Sequence, residues 1–434
     1  MVCVLALLSI GILILPGRVE SQEATNWPQW RGSDFTSVSS EKDLPVEFGL
    51  DNNLHWKCPM PGSAGSSPVV WNGTTFVTSA TADDEGICLL AVDSSGNVEW
   101  EQAVPGRNKN ISMDQSNAAA PSPITDGKHV WATSGAGVLC CFTVAGEKVW
   151  ELDLQKEFGK FNIQFGMSTS PVMDQGRLYM QLIHGDMRSR EPGVGIVLCL
   201  NAADGKVVWK QNRLSDATSE NKHSYASPTI YKDKDRSLLL THGGDIVVAH
   251  SLEDGHEVWR CGGLNPTDNY NSYLRFVSSP AWCPGIIVVP SAKKGVVLAL
   301  RPDGSGDLTD NSSAHLWIMD RGTPDVASPL IWDGLVYLFR ENGVVACFDM
   351  KDGEPVWEER MLADRHRSTP VIADGKIFIT GRDGTVTVLQ AGREPKILAS
   401  NELGETTTAS PAIANGRIYI RTFGNLYCFG KPTE

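Results

Sequence analysis

The sequence predicts an all-β protein, a single eight-bladed β-propeller of four-stranded antiparallel blades with its ring closed by an N-terminal strand. Three observations predict it. First, one phrase recurs eight times: a Ser-Pro or Thr-Pro pair, a short apolar run, a Gly turn, a second apolar run and often Gly-x-x-x-Trp. Its prolines are Pro68, Pro123, Pro171, Pro228, Pro280, Pro329, Pro370 and Pro411, spaced by 55, 48, 57, 52, 49, 41 and 41 residues. Second, turn pairs such as Asp-Gly and Asn-Gly separate the apolar runs, as hairpin connections require. Third, the last repeat lacks a fourth strand, while an unowned one stands before the first repeat.

Each strand of a repeat has its own reason, clearest in blade six. Residues 328–332 form the first strand, with Pro329 at its start, where no ladder donor is needed. Asp333-Gly334 turns the chain, because Gly accepts the positive φ of a two-residue hairpin. Residues 335–339 are the second strand, Asn342-Gly343 turns again, and 344–349 are the third. Asp352-Gly353 turns once more, and 355–358 carry Trp357 on the fourth. In blades one to four, Trp100, Trp150, Trp209 and Trp259 likewise lie four residues after a Gly. In blade five Trp317 is delayed by an insertion, 305–315. Blade seven has no such Trp, and Lys396-Ile397-Leu398 serves as its last strand. Blade eight stops after its third strand, at Phe429.

Leu54-His55-Trp56-Lys57 supplies the missing strand. Trp56 precedes Pro68 by the 12 residues that separate Trp317 from Pro329. The segment near 54–57 is therefore expected to pair with blade eight and close the ring, removing the open edges that invite aggregation.

A length of 434 residues would allow several domains, but the repeats assign 22–434 to one propeller. Residues 1–21 read as a secretory signal peptide, with an apolar run over 2–15 and small residues at Val19 and Ser21. No Lys or Arg precedes that run, which leaves open an uncleaved N-terminal anchor. Cys3 lies before the apolar core, unlike a lipidation cysteine. No other stretch is long enough to cross a bilayer. A periplasmic or extracellular monomer is expected. The net charge of −13 argues against nucleic acid and anionic membrane surfaces as partners.

Nine cysteines follow residue 21. Aligned on the third strand, one column reads Ala91, Cys141, Cys199, Ala249, Ala299, Cys347, Val388 and Cys428, so Cys stands in for a small buried hydrophobe. Equivalent positions of separate blades are mostly too far apart to bridge. Cys140-Cys141 falls within an apparent strand, 138–142, where neighbouring side chains face opposite ways. A Cys261–Cys283 bridge is conceivable without further support.

The phrases Ala91-Val-Asp93-Ser-Ser-Gly96-Asn-Val-Glu-Trp100, Leu200-Asn201-Ala-Ala-Asp-Gly205-Lys-Val-Val-Trp209 and Phe348-Asp349-Met-Lys-Asp-Gly353-Glu-Pro-Val-Trp357 resemble the tryptophan-docking repeat of quinoprotein alcohol dehydrogenases. They are one residue shorter between the Asp position and Gly, which places the resemblance with the wider PQQ-like propeller family. Trp27-Pro28-Gln29-Trp30-Arg31-Gly32 also resembles the opening of exported members. The resemblance covers nearly all of 26–430 and implies that the Trp of each blade packs on its neighbour. The family includes PQQ-dependent dehydrogenases, a lipoprotein of the outer-membrane β-barrel assembly machinery, and exported proteins without assigned role. No Glu, Asn and Asp set for calcium stands out, nor a Cys-Cys pair in the loop setting of the dehydrogenases.

The resemblance also implies a ligand site at one mouth of the channel, lined by residues just before each Ser/Thr-Pro. Blades one and two offer Ser63, Ala64, Ala118 and Ala119. Blade four offers His223 and Tyr225, blade five Arg275 and Phe276, blade six Asp325, blade seven Arg365, His366 and Arg367, and blade eight Thr406, Thr407 and Thr408. Three Arg and two His converging in an acidic protein suit a carboxylate or phosphate, such as the polycarboxylate PQQ. The competing reading is that they are loop charges paired with Asp325 and Asp364. Weaker signals are Asp303, Asp307 and Asp310 in a Gly-rich loop, which could hold calcium or form an acidic hairpin, and the aromatic and amide loop 265–273, common at recognition surfaces but equally a plain connection. His129, His242 and His250 read as packed residues. Asn72, Asn110 and Asn311 begin glycosylation sequons. No metalloprotease, redox, phosphate-loop or nucleophile-elbow motif occurs, and no catalytic or metal-binding residue is assigned. The expected function is an extracytoplasmic binding or scaffolding module with a protein partner or small anionic ligand. A PQQ-dependent oxidoreductase with calcium and a propeller of outer-membrane protein assembly are the alternatives.

Overall fold

The computed structural model describes residues 25–107, 117–293, 295–362 and 365–432. The leader with Cys3, the sequon at Asn110 and the proposed partner Asp364 lie outside the described residues. Eight antiparallel blades follow one another in chain order. Blade one runs from Val69–Trp71 to Val98–Val104, blade two from Ile124–Thr125 to Lys148–Asp153, blade three from Val172–Asp174 to Val207–Asn212 and blade four from Thr229–Lys232 to Glu257–Cys261. Blade five runs from Ala281–Cys283 to His315–Met319, blade six from Leu330–Trp332 to Pro355–Arg360 and blade seven from Val371–Ala373 to Ile397–Glu402. Blade eight holds Ala412–Ala414, Arg417–Arg421 and Asn425–Gly430, and its fourth strand is Leu54–Pro59.

That N-terminal strand closes the ring. It pairs antiparallel with the third strand of blade eight, with Leu54 opposite Phe429, Trp56 opposite Cys428 and Pro59 opposite Asn425. Trp56 then reaches forward to blade one, where its indole N–H donates to the Ser94 carbonyl at 3.0 Å. The same device joins the blades in succession. Trp100, Trp150, Trp209, Trp259, Trp317 and Trp357 donate to the carbonyls of Val144, Ala202, Leu252, Pro302, Met350 and Gly392, each on the next blade. Blade seven, with Ala399 at the equivalent position opposite Val388, docks on blade eight without it.

Glycine and small residues make room for these rings. A Cβ on Gly255 would sit 2.4 Å from the Trp209 ring, and its φ of +76° disfavours any side chain. On the inner side, Ala91, Cys141, Cys199, Ala249, Ala299, Cys347 and Cys428 each lie directly opposite a docking Trp in the ladder. Cross-strand partners share a face, so the column must be small. This is why Cys and Ala exchange freely there.

The core is a set of layers between adjacent blades. Cys140 packs between blades one and two, and Cys141 between blades two and three. Alternate residues of one strand thus feed two different interfaces. The blade-five insertion turns outward, and Gly306–Asp307 adds a fifth, parallel strand to the outer edge of blade four.

Candidate functional site

The residue before each blade-opening proline forms a closed ring around the channel. The backbone N–H of Ser67 donates to the hydroxyl of Ser122, Ser122 to Ser170, Ser170 to Ser227, and Ser227 to Ser279. Ser279 donates to Ser328, Ser328 to Thr369, Thr369 to Ser410, and Ser410 back to Ser67. The distances run from 2.9 to 3.2 Å, and all eight residues are buried. An inner strand has no further strand to pair with, and a buried N–H must find an acceptor. Ser or Thr supplies one across the blade boundary, and Pro follows because it brings no second donor. The recurring pair is therefore both a strand start and an inter-blade clasp. The second role escapes the sequence because seven of the bonds join residues about one repeat apart and the eighth, Ser410 to Ser67, joins the two ends of the ring.

A strap, residues 25–41, covers one mouth. Trp27 and Val70 exchange two backbone hydrogen bonds of 2.9 Å. Thr125 N–H donates to the Pro28 carbonyl, Met173 N–H to the Gln29 side chain, and Ile372 N–H to the Ser37 carbonyl. Val38–Ser39 pairs in parallel with Ile372–Ala373 of blade seven. Trp30 enters the axis, its indole N–H 3.4 Å from the Ser410 hydroxyl. The remaining channel cavity measures 110 Å³, below the several hundred Å³ of ordinary small-molecule sites. Arg31 is fully buried, donates to the Pro280 carbonyl at 2.7 Å and has its pKa lowered to about 9 by burial.

The first strands run from one mouth to the other, so the residues preceding them gather at the uncovered mouth. Here Arg275 lies over the Phe165 ring, with Glu220 and Asp325 carboxylates at 3.6 and 3.7 Å. Lys293 also reaches Glu220, at 3.5 Å, and Arg367 reaches Glu341 at 3.4 Å. Burial lowers the pKa of Arg367. Asp325 and Arg365 share a 390 Å³ hollow with Lys293, Thr323, Arg340, Glu341 and Asn342. Tyr225 accepts the Phe165 N–H at 3.3 Å and has its pKa raised by burial. His223 is buried, 2.9 Å from the Gly185 carbonyl, with its pKa lowered by burial. His366 turns inward, edge-on to Phe339.

The structure thus brings Arg275, Asp325, Arg365 and Arg367 to one mouth and places His223 and His366 in packed surroundings. Sequence reasoning missed Glu220, Lys293, Arg340, Glu341 and Phe165. Phe165 and Glu220 stand in the loops that open blades three and four, a few residues further from the proline, and Lys293, Arg340 and Glu341 stand in the turns between second and third strands of blades five and six. Chemically, the mouth is a nearly balanced lattice of ion pairs.

The residues do not fit a quinone cofactor with calcium. Cys140 and Cys141 face different cores inside a strand, and burial pushes both thiols up to about 12. Among the described residues no three His, Cys, Asp or Glu converge as a metal set. Asp307 instead accepts from the Thr309 N–H and hydroxyl. Cys261 and Cys283 are unpaired. The loop 265–273 folds back on itself, with Asn221, Asn265 and Tyr270 donating to a half-buried Asp245 whose pKa is raised by desolvation. His250 is packed between Thr241 and Gly255.

Residues 35–180, 143–391 and 341–432 match the family described as outer membrane protein assembly factor BamB. A protein of that description from Yersinia pestis is 23% identical over 242 residues, 55% of this chain and 56% of that protein's own length. The crystal structure of BamB from Moraxella catarrhalis superposes with a TM-score of 0.58 at 14% identity, covering 89% of this chain and 99% of that one. A europium-containing methanol dehydrogenase superposes with a TM-score of 0.70 at 12% identity, covering 94% and 98%. At these identities the superpositions show the fold alone.

Proposed function

The chain belongs to the family described as outer membrane protein assembly factor BamB, and from that premise we propose that it is an exported, protein-binding propeller serving outer-membrane protein assembly. The family match over three overlapping stretches carries the reading. It moves the assembly role ahead of an unspecified scaffold. The geometry supports a binding role over catalysis: the axis is filled by Trp30, and the thiols are buried and protonated. The test is retrieval of the tagged chain from detergent-solubilised envelopes. It should bring down a β-barrel assembly partner, and its deletion should lower outer-membrane protein levels. A chain that elutes alone, with unchanged outer-membrane proteins on deletion, overturns the reading.

The charged mouth then serves as a polar contact surface. Its cations would exchange Glu220 and Asp325 for carboxylates of a partner or small anion. Reversing Arg275 and Arg365 to Glu together should abolish such anion binding. Unchanged binding in that double variant removes this role.

A further inference from the structure

The strap satisfies the inner edges of most blades and leaves an arc open. It meets the residue two after the opening proline in blades one, two, three, seven and eight: Val70, Thr125, Met173, Ile372 and Ile413. The equivalents in blades four, five and six are Ile230, Trp282 and Ile331; in blade five the strap reaches the Pro280 carbonyl through Arg31 but not Trp282. In blade six, Trp332 pairs with Leu335 across a two-residue turn. Alternation of the ladder then points the N–H and C=O of Ile331 away from its own hairpin, toward the axis. The same holds for Trp282, one residue before the closing pair Cys283–Ile286. Among the described residues neither N–H has a hydrogen-bond partner. A groove of 780 Å³ lies there, lined by Trp282, Ile331, Trp332 and Met350 on the blade side and by the largely polar strap, Asp34 and Val38 among it, on the other. The Trp282 indole N–H, buried, also lacks an acceptor.

We infer that this groove takes an extended segment of a protein partner, a strand with alternating apolar side chains, paired with the inner edges of blades five and six. The strap is the precedent: beside the groove, Val38–Ser39 already pairs in parallel with the inner strand of blade seven. The incoming backbone accepts from Ile331 and Trp282, and alternate side chains rest on the half-buried Trp332 and Met350. The inference rests on the protein-binding role proposed above and names the chemistry of one partner segment.

The probe is a fluorescein-labelled eight-residue peptide of alternating threonine and phenylalanine, followed by anisotropy on the full chain. Saturable binding is expected. Ile331→Pro removes the edge donor without removing a hairpin-ladder hydrogen bond; it should weaken binding about tenfold or more, while its lost packing in the core between blades five and six lowers the melting temperature. Trp332→Ala should weaken it as well. The same peptide, N-methylated at alternate residues along one edge, should lose binding to the unmodified protein, which tests backbone pairing even if Ile331→Pro fails to fold. No saturation by about 1 mM, or equal binding of the N-methylated peptide, overturns the inference. Binding only by a chain beginning at Thr25 would make the preceding residues the occupant and also overturn it. Because the probe is read on the isolated chain, its failure leaves the envelope retrieval to be judged separately.

Discussion

His242 is fully buried on the second strand of blade four, edge-on to Phe276 with ring centres 4.8 Å apart. Burial, with the like charge of Arg213, lowers its pKa to about 3. His184 and His250 are lowered to about 4, chiefly by burial, and His223 is lowered too. Their unfolded values lie near 6.5. Between the two values the unfolded chain binds more protons than the folded one, so stability is full above about pH 6.5 and falls with acidification. Each histidine contributes up to about 1.4 kcal/mol per pH unit within its window. His242→Phe keeps the ring and removes one titrating group. Urea unfolding at pH 6 and pH 4.5 should show a slope lower by about that amount, and an identical slope would show that His242 is not held neutral. The clasp serines allow a second test. Ser279→Ala leaves the Ser227 N–H buried without its acceptor, at a cost of about 1–3 kcal/mol. A loss below a few tenths would mean water replaces the hydroxyl.

The strands were legible because each carries its own chemistry in a few adjacent residues. Pro329, Asp333-Gly334 and Asn342-Gly343 mark the starts and turns of blade six, and the observed strands begin at Leu330, Leu335 and Val344. Trp56 was legible through its spacing from Pro68, although its ladder partner, Cys428, lies at the far end of the chain. The strap was not legible as structure. Residues 25–41 have neither a period of two nor a helical period, and their partners are scattered over nearly every blade. The opening Trp-Pro-Gln-Trp-Arg-Gly could be matched to a family but not read as a plug, because what fixes Trp30 is the distant Ser410. At this scale the docking indoles carry the inter-blade energy. Trp259 is completely buried and donates to the Pro302 carbonyl of the next blade. Trp259→Ala should cost about 3–5 kcal/mol, read as a shift in the denaturant midpoint. A loss no larger than that of a surface substitution would show that the blades hold together without it.

At the scale of the molecule, a ring of blades is only as stable as its last seam. Every other seam joins neighbours in sequence, but the closing one brings residues 54–59 against residues 425–430. The segment from Trp27 to Trp56 also packs into that seam, with Leu44 and Phe48 beside Tyr427 and Phe429. Deleting residues 22–57 therefore removes most of the fourth strand of blade eight, its docking Trp and the strap together. The bared strand Asn425–Gly430 would present an unpaired, apolar edge, the kind that pairs with another chain. The deleted protein should aggregate and melt at lower temperature, measured by light scattering and calorimetry. Trp30→Ala empties the axis but leaves the closing strand intact, so it should keep the size distribution of the parent. If the deleted protein instead stays dispersed with unchanged thermal stability, the seam is not closed by residues 54–59. If Trp30→Ala aggregates as readily as the deletion, the plug rather than the closing strand holds the ring together.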